Sequence, residues 1–278
     1  MLTLLMLFGL TVVAFFFRSR LPLWQSLIFR YLLWIGMLWL IQLSYDRNPE
    51  RKWARFVYTF SPILFIVLIY QSLGDLIQYL HPDIDPVLIQ IDQSLFGVQP
   101  TIYMQRWITP WLTDLLSLAY LSYYFLPVIL VLVLYLKGHP GLYPSLLVLA
   151  LGYYLSFVGY ILFPAVGPRY AIADLYTIPL HGSFITDFVR DGLNAIEHNK
   201  RDCMPSGHTQ IALTVVYLSH RYQKVLFYMF TPVVCALIFS TIYLRYHYVI
   251  DLVAGATLAL VTVLLGPGCY AWWEEGSQ

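Results

Sequence analysis

Three side chains in this sequence have the types and spacing for chemistry on a phosphate: His208, His247 and Asp251. His247 and Asp251 are four residues apart, so on a helix they share one face. A carboxylate so placed holds one imidazole nitrogen protonated and leaves the other free to attack phosphorus. This is the logic of an orienter and a base, with histidine itself as nucleophile. His208 closes the run Cys203-Met204-Pro205-Ser206-Gly207-His208, which reads as a helix start, where proline is tolerated. Free first-turn amides and the helix dipole favour an anion there. Gly207 has no Cβ to keep a phosphate away from the backbone, Ser206 adds a hydroxyl, and His208 adds a proton near neutral pH. Arg169 lies in the run Phe163-Pro164-Ala165-Val166-Gly167-Pro168-Arg169-Tyr170, and Arg245 stands two residues before His247. Both offer forked, permanently charged donors to phosphate oxygens. Each feature alone has a plainer reading: an ordinary helix start, a structural His–Asp pair, an arginine at lipid head groups. Their conjunction favours chemistry, because ionisable groups in or beside spanning helices are expensive and need partners.

Residues so far apart need a scaffold that gathers them. The 278 residues are 59% hydrophobic and 11% charged, against about 25% charged in a typical soluble domain. One soluble core cannot hide that much apolar surface at this length, so the bilayer is the solvent for much of the chain. The 23 Tyr and 8 Trp suit rings at a membrane interface. A net charge of +1 excludes the basic face that nucleic-acid binding requires. The three cysteines, Cys203, Cys235 and Cys269, form neither a disulfide framework nor a paired zinc motif, and read as small apolar side chains.

Apolar runs of about 20 residues mark spanning helices. Eight are expected, near 2–17, 24–43, 57–79, 112–136, 143–163, 207–221, 224–243 and 248–268, which makes the fold an all-α polytopic membrane protein. The first run has no basic stretch before it and no small-residue cleavage site after it, so it reads as a retained anchor helix. The Arg47, Arg51, Lys52 and Arg55 cluster places its loop in the cytoplasm, together with Lys137 and the Arg221 to Lys224 turn. Arg18 and Arg20 alone dissent. The polar segments 80–111 and 164–206 then share the outer face (periplasmic, extracellular or lumenal) with the starts of helices 207–221 and 248–268. That topology brings Arg169, His208 and His247 to one face. Residues 1–56 read as extra N-terminal helices and 57–278 as the core.

Pro205-Ser206-Gly207-His208 followed by His247 and Asp251 resembles the type 2 phosphatidic acid phosphatase superfamily. Its pattern runs Lys-x6-Arg-Pro, then Pro-Ser-Gly-His, then Ser-Arg-x5-His-x3-Asp, on a six-helix membrane core. The likeness covers roughly residues 57–268. It implies His247 as the nucleophile that forms a phosphohistidine, Asp251 as its orienter, and His208 as the acid for the leaving group. Ser206, Gly207 and Arg169 would hold the phosphate. Chemistry of this kind needs no metal and no cofactor. The sequence departs from the pattern twice: Leu162 stands where the Lys is expected, and Ser240-Thr241 replaces Ser-Arg. Arg245 brings one charge back from another direction. Fewer cations point to a less charged phosphate, a diester rather than a monoester.

The stretch Asp92-Gln93-Ser94-Leu95-Phe96-Gly97-Val98-Gln99-Pro100, the Gly167-Pro168-Arg169-Tyr170 run and His247-Tyr248-x-x-Asp251 are similar to the branch containing inositol phosphorylceramide synthases. Those enzymes move a phosphorylated head group between lipids. The expectation is an integral-membrane phosphotransferase with a membrane lipid as substrate and a lipid or polyol hydroxyl as acceptor. The alternatives are a plain lipid phosphate phosphatase, of phosphatidic acid or polyprenyl phosphate type, and a non-catalytic lipid-phosphate binder or transporter. A transporter would show two related halves with broken helices, and no repeat is present. His139, His181, His198 and His220, with Asp174, Asp187 and Asp191, read as loop or interfacial groups whose spacing matches no metal-binding loop.

Overall fold

The computed structural model describes residues 1–196 and 198–275. Among them the regular elements are all helices, and each stretch expected to span is helical, one of them in two pieces. The chain forms two compact units, Met1–Pro82 and Asp83–Gln278. The first contains α1 (Leu2–Phe16), α2 (Trp24–Arg47) and α3 (Lys52–Leu73), packed on one another. Helix α3 packs on α1 and α2, and this unit runs to Pro82. Phe8, Phe16, Phe29 and Trp39 stand exposed on its surface, as expected where the solvent is lipid. Within the unit Arg30 and Asp75 pair at 2.7 Å.

The second unit runs through α4 (Asp85–Phe96), α5 (Pro100–Tyr103), α6 (Pro110–Leu121), α7 (Leu126–Leu136), α8 (Leu142–Leu162), α9 (Pro168–Ala171), α10 (Thr186–Ile196), α11 (Gly207–Tyr222), α12 (Lys224–Tyr243) and α13 (Val249–Glu275). Five helices of the described chain are long and apolar enough to cross a membrane, or six if the α6–α7 pair, bent by 47°, counts as one span. This is a polytopic membrane protein. Of the eight expected spans, α1 and α11 fall short, at 15 and 16 residues, of the roughly 20 a straight crossing needs. The α6–α7 bend falls just before Pro127 in the first turn of α7, a position where proline is accommodated because no intrahelical amide is lost.

Helix α11 is the centre of this unit and packs on α7, α8, α12 and α13. Its Gln210 is wholly buried. Ser156 Oγ of α8 donates to Gln210 Oε1, while Gln210 Nε2 donates to Gly152 O at 2.9 Å and to Thr262 Oγ1 of α13 at 3.2 Å. In a low-dielectric interior such groups must satisfy one another, so one side chain fixes three helices. At the start of α11, α13 comes to backbone contact: a Cβ on Gly255 would collide with Ser206 O. The Ser206 amide donates to Asp251 O at 3.0 Å. At the opposite end Lys137 Nζ donates to Gln223 Oε1 at 2.8 Å, so two of the basic turns lie together.

The segment 83–114 ties down the loops that carry the site. Asp85 accepts from the Val166 and Gly167 amides at 2.9 Å each and from Tyr248 Oη at 2.9 Å. Asp92 accepts from the Val249 and Ile250 amides, at 2.8 and 3.1 Å. Those are free first-turn donors of α13, so Asp92 caps that helix from outside its own segment. Gln105 Oε1 accepts from the Thr177 and Ile178 amides at 2.9 Å each. Asp114 accepts from four successive amides, Ser183 to Thr186. The 164–206 stretch, read from sequence as a loop, is held by Asp85, Gln105 and Asp114 and contains α10.

Candidate active site

The turn between α12 and α13 carries His247. Thr241 O accepts from both the Tyr246 and His247 amides, at 2.9 and 3.1 Å. The chain reverses through Arg245, whose φ of 68° is left-handed, a conformation uncommon for a residue with a side chain. The cap from Asp92 then starts α13, and Tyr248 N donates to Asp251 Oδ2 at 2.8 Å. Asp251 is therefore rigid and fully buried.

His247 Nδ1 lies 2.8 Å from the Cys203 carbonyl and 3.4 Å from Asp251 Oδ2. A carbonyl can only accept, so Nδ1 carries the proton and Nε2 keeps its lone pair. The sequence assigns the orienting role to Asp251 alone; in the structure the Cys203 carbonyl makes the shorter contact and the carboxylate adds its charge. The Cys203 thiol donates to Asp251 Oδ2 at 2.8 Å. Burial pushes its pKa well above the ordinary value, and the Asp251 carboxylate pushes the same way, so the sulfur stays protonated. Sequence treats Cys203 as a small apolar group, yet it sits in the network that sets His247.

His247 Nε2 faces His208 Nδ1 at 3.4 Å. The His208 ring is held between Tyr120, stacked at 4.4 Å, and Tyr123, tilted at 4.2 Å. Both tyrosines flank the start of the α6–α7 bend, so that break places the aromatic walls. His208 Nε2 is buried without a hydrogen-bond partner.

The cavity over the histidines is lined by Arg169, Asn199, Lys200, Cys203, Tyr120 and Tyr246, among others. Arg169 follows Gly167, whose φ of 84° is natural only to glycine. A Cβ there would stand 2.7 Å from Tyr246 O and 3.1 Å from Cys203 Sγ. Arg169 Nη1 donates to Tyr246 Oη at 3.2 Å, which aims the guanidinium at the cavity mouth. Asn199 is buried, and its Nδ2 has no partner. Lys200 reaches the same cavity from the loop, its Nζ 5.6 Å from the Tyr170 ring centre. Leu162, at the position of the Lys in the first motif, is exposed. Lys200 and Asn199 carry no periodic or motif signal that sequence could use.

Two sequence candidates lie behind this cavity. Ser206 Oγ accepts from Thr209 N at 3.2 Å as the N-cap of α11, and its own amide is taken by Asp251 O. Gly207 packs against Tyr160, whose hydroxyl a Cβ would strike. Arg245 borders a neighbouring cavity, described below, together with Arg169.

Among the described residues, Cys203, His247 and Asp251 also offer three possible ligand atoms within 4.8 Å of one another. A metal would need the thiolate, whereas burial favours the thiol that hydrogen-bonds Asp251.

Residues 86–265, which contain all of these groups except Asp85, match the model of the PAP2 superfamily. The chain belongs to the PAP2 superfamily. The PAP2 match leaves α1 to α3 outside and bears out the likeness carried by Pro205 to His208, His247 and Asp251. A stretch of 117 residues, 41% of this chain, is 28% identical to the PA-phosphatase related-family protein of Dictyostelium discoideum. The chain spans about a fifth of that relative's length, 21%. No solved structure matches this PAP2 chain.

Proposed function

We propose that this PAP2 protein transfers or hydrolyses the phosphorylated head group of a membrane lipid through a phosphohistidine on His247, with transfer to a hydroxyl preferred. One observation carries the reading: His247 Nδ1 is held by the Cys203 carbonyl at 2.8 Å, which leaves Nε2 as a nucleophile beside His208. In the first step the Nε2 lone pair forms an N–P bond, and the P–O bond to the leaving group breaks. The proton for the leaving oxygen comes from His208. In the second step an acceptor O–H attacks phosphorus, the N–P bond breaks, and the acceptor's proton returns to His208. The two imidazoles touch as they stand, so substrate has to part them. Arg169, Lys200 and Asn199 are the donors placed to hold the phosphate oxygens. The likeness of Asp92 to Pro100 to inositol phosphorylceramide synthases supports transfer. A second reading, a plain lipid phosphate phosphatase, is favoured by Lys200: beside Arg169 it supplies the second cation that a dianionic monoester calls for.

The test is to incubate the purified full chain with labelled lipid phosphate monoesters and diesters, with and without a lipid or polyol acceptor, in excess chelator. A new phosphorylated lipid or polyol is expected, at an undiminished rate. Free phosphate alone would select the second reading. Activity lost to chelator and restored by zinc would put a metal on Cys203, His247 and Asp251 and reject the metal-free mechanism. No turnover of any lipid would sink the enzymatic reading.

We also place this site at the outer membrane face, from the basic turns gathered at the opposite end of the unit by Lys137 and Gln223. Both Ser183 and Pro140 are exposed. A Ser183→Cys variant should react with an impermeant thiol reagent added outside, and Pro140→Cys should be protected; the reverse pattern inverts the topology.

A further inference from the structure

Beside the histidine cavity lies a second one of about 220 Å³. Arg169, Tyr120 and Tyr246 border both, so a group bound in one is a short step from the other. The second cavity is lined further by Arg245, Tyr176 and Arg190. These arginines are not equivalent. Arg190 is compensated, with Asp187 at 2.8 Å and Asp191 at 3.4 Å. Arg245 is only 8% exposed. Its guanidinium donates to Ile178 O and lies over the Tyr176 ring at 3.9 Å, but its Nε is buried with no hydrogen-bond partner. Among the described residues no carboxylate pairs with it. Burial lowers its pKa, the mark of a charge removed from water, yet a guanidinium stays protonated throughout the physiological range. A buried charge is costly unless an opposite charge meets it. The left-handed backbone at Arg245 adds strain to hold it there. The Ile178 carbonyl and the Tyr176 ring offset part of these costs, but among the described residues no opposite charge does.

We propose that this second cavity is an anion subsite built on Arg245, which takes a second negative charge carried by the head group whose phosphate reacts at His247. The inference rests on the proposed function and narrows its substrate class to head groups bearing a carboxylate or a further phosphate. Arg169, on the border, holds the reacting phosphate, while Arg245 reads what lies beyond it.

The experiment reads binding, so that its failure is separate from a failure of catalysis. Titration calorimetry on full-length His247→Ala protein would compare propyl phosphate with its terminal carboxylate and terminal phosphate analogues at one ionic strength. At least one two-charge probe should bind about tenfold more tightly than propyl phosphate, the size expected of one charge-assisted hydrogen bond. Which probe wins separates carboxylate from phosphate. Adding Arg245→Gln should bring the ratio close to one, and Arg245→Lys should keep part of it. Equal affinity for all three probes overturns the subsite even if lipid turnover is established. So does a preference that survives Arg245→Gln, or an equal loss on all three, which would make Arg245 a clamp on Ile178 and Tyr176. If Arg245→Gln fails to fold, the preference of the parent protein and its partial retention by Arg245→Lys still decide the matter.

Discussion

Replacing His247 by alanine is expected to cost at least about a thousandfold in turnover on every substrate, the scale seen when a covalent nucleophile is removed. No other described group combines a free lone pair with the fixed geometry given by the Cys203 carbonyl, 2.8 Å from Nδ1. Asp251 cannot take over, since it is fully buried and does not line the cavity. A rapid quench with phosphorus-labelled substrate should trap an acid-labile phosphoramidate on the parent protein and none on the variant. Activity within tenfold of the parent, or label retained by His247→Ala, would remove His247 as nucleophile.

His208→Ala should have the second largest effect, and one that depends on the leaving group. Proton donation by a positioned side chain contributes about 10²–10⁴-fold, so loss of that order is expected with a lipid alcohol as leaving group. A nitrophenolate leaves without a proton, and there the variant should lose far less. The ratio of the two losses is the readout. Equal losses would mean that His208 supports the site by packing between Tyr120 and Tyr123 and donates no proton.

The candidate residues are legible because local spacing carries their signal: a helix start before His208, and a four-residue interval from His247 to Asp251. The same local logic placed the apolar helices, since length and composition decide what a bilayer accepts. It went astray where tertiary contacts decide. The stretch near 112–136 still counts as one span, but the 47° bend between α6 and α7 is marked locally by little more than Pro127. Cys203, Asn199 and Lys200 are loop residues without periodicity, and they meet the cavity through tertiary contacts such as that of Cys203 N with Ala165 O. Ser206 has a second use that local spacing does not single out: its hydroxyl oxygen accepts from Thr209 N as the N-cap of α11, which leaves its proton to donate.

Asp85, Asp92, Gln105 and Asp114 touch no cavity over the histidines, yet each holds backbone amides of a segment that carries or covers the site. A mutational map scored by activity alone would therefore draw a second hot region along 85–114, as sharp as the one at 203–251. A variant such as Asp92→Ala would let the first turn of α13 fray and carry His247 off its aim, mimicking loss of the nucleophile in a residue that never meets substrate. Only a map scored for both abundance and rate separates the two regions, and genetic variation seen at Asp85 or Asp92 is better interpreted as a defect of alignment than of chemistry.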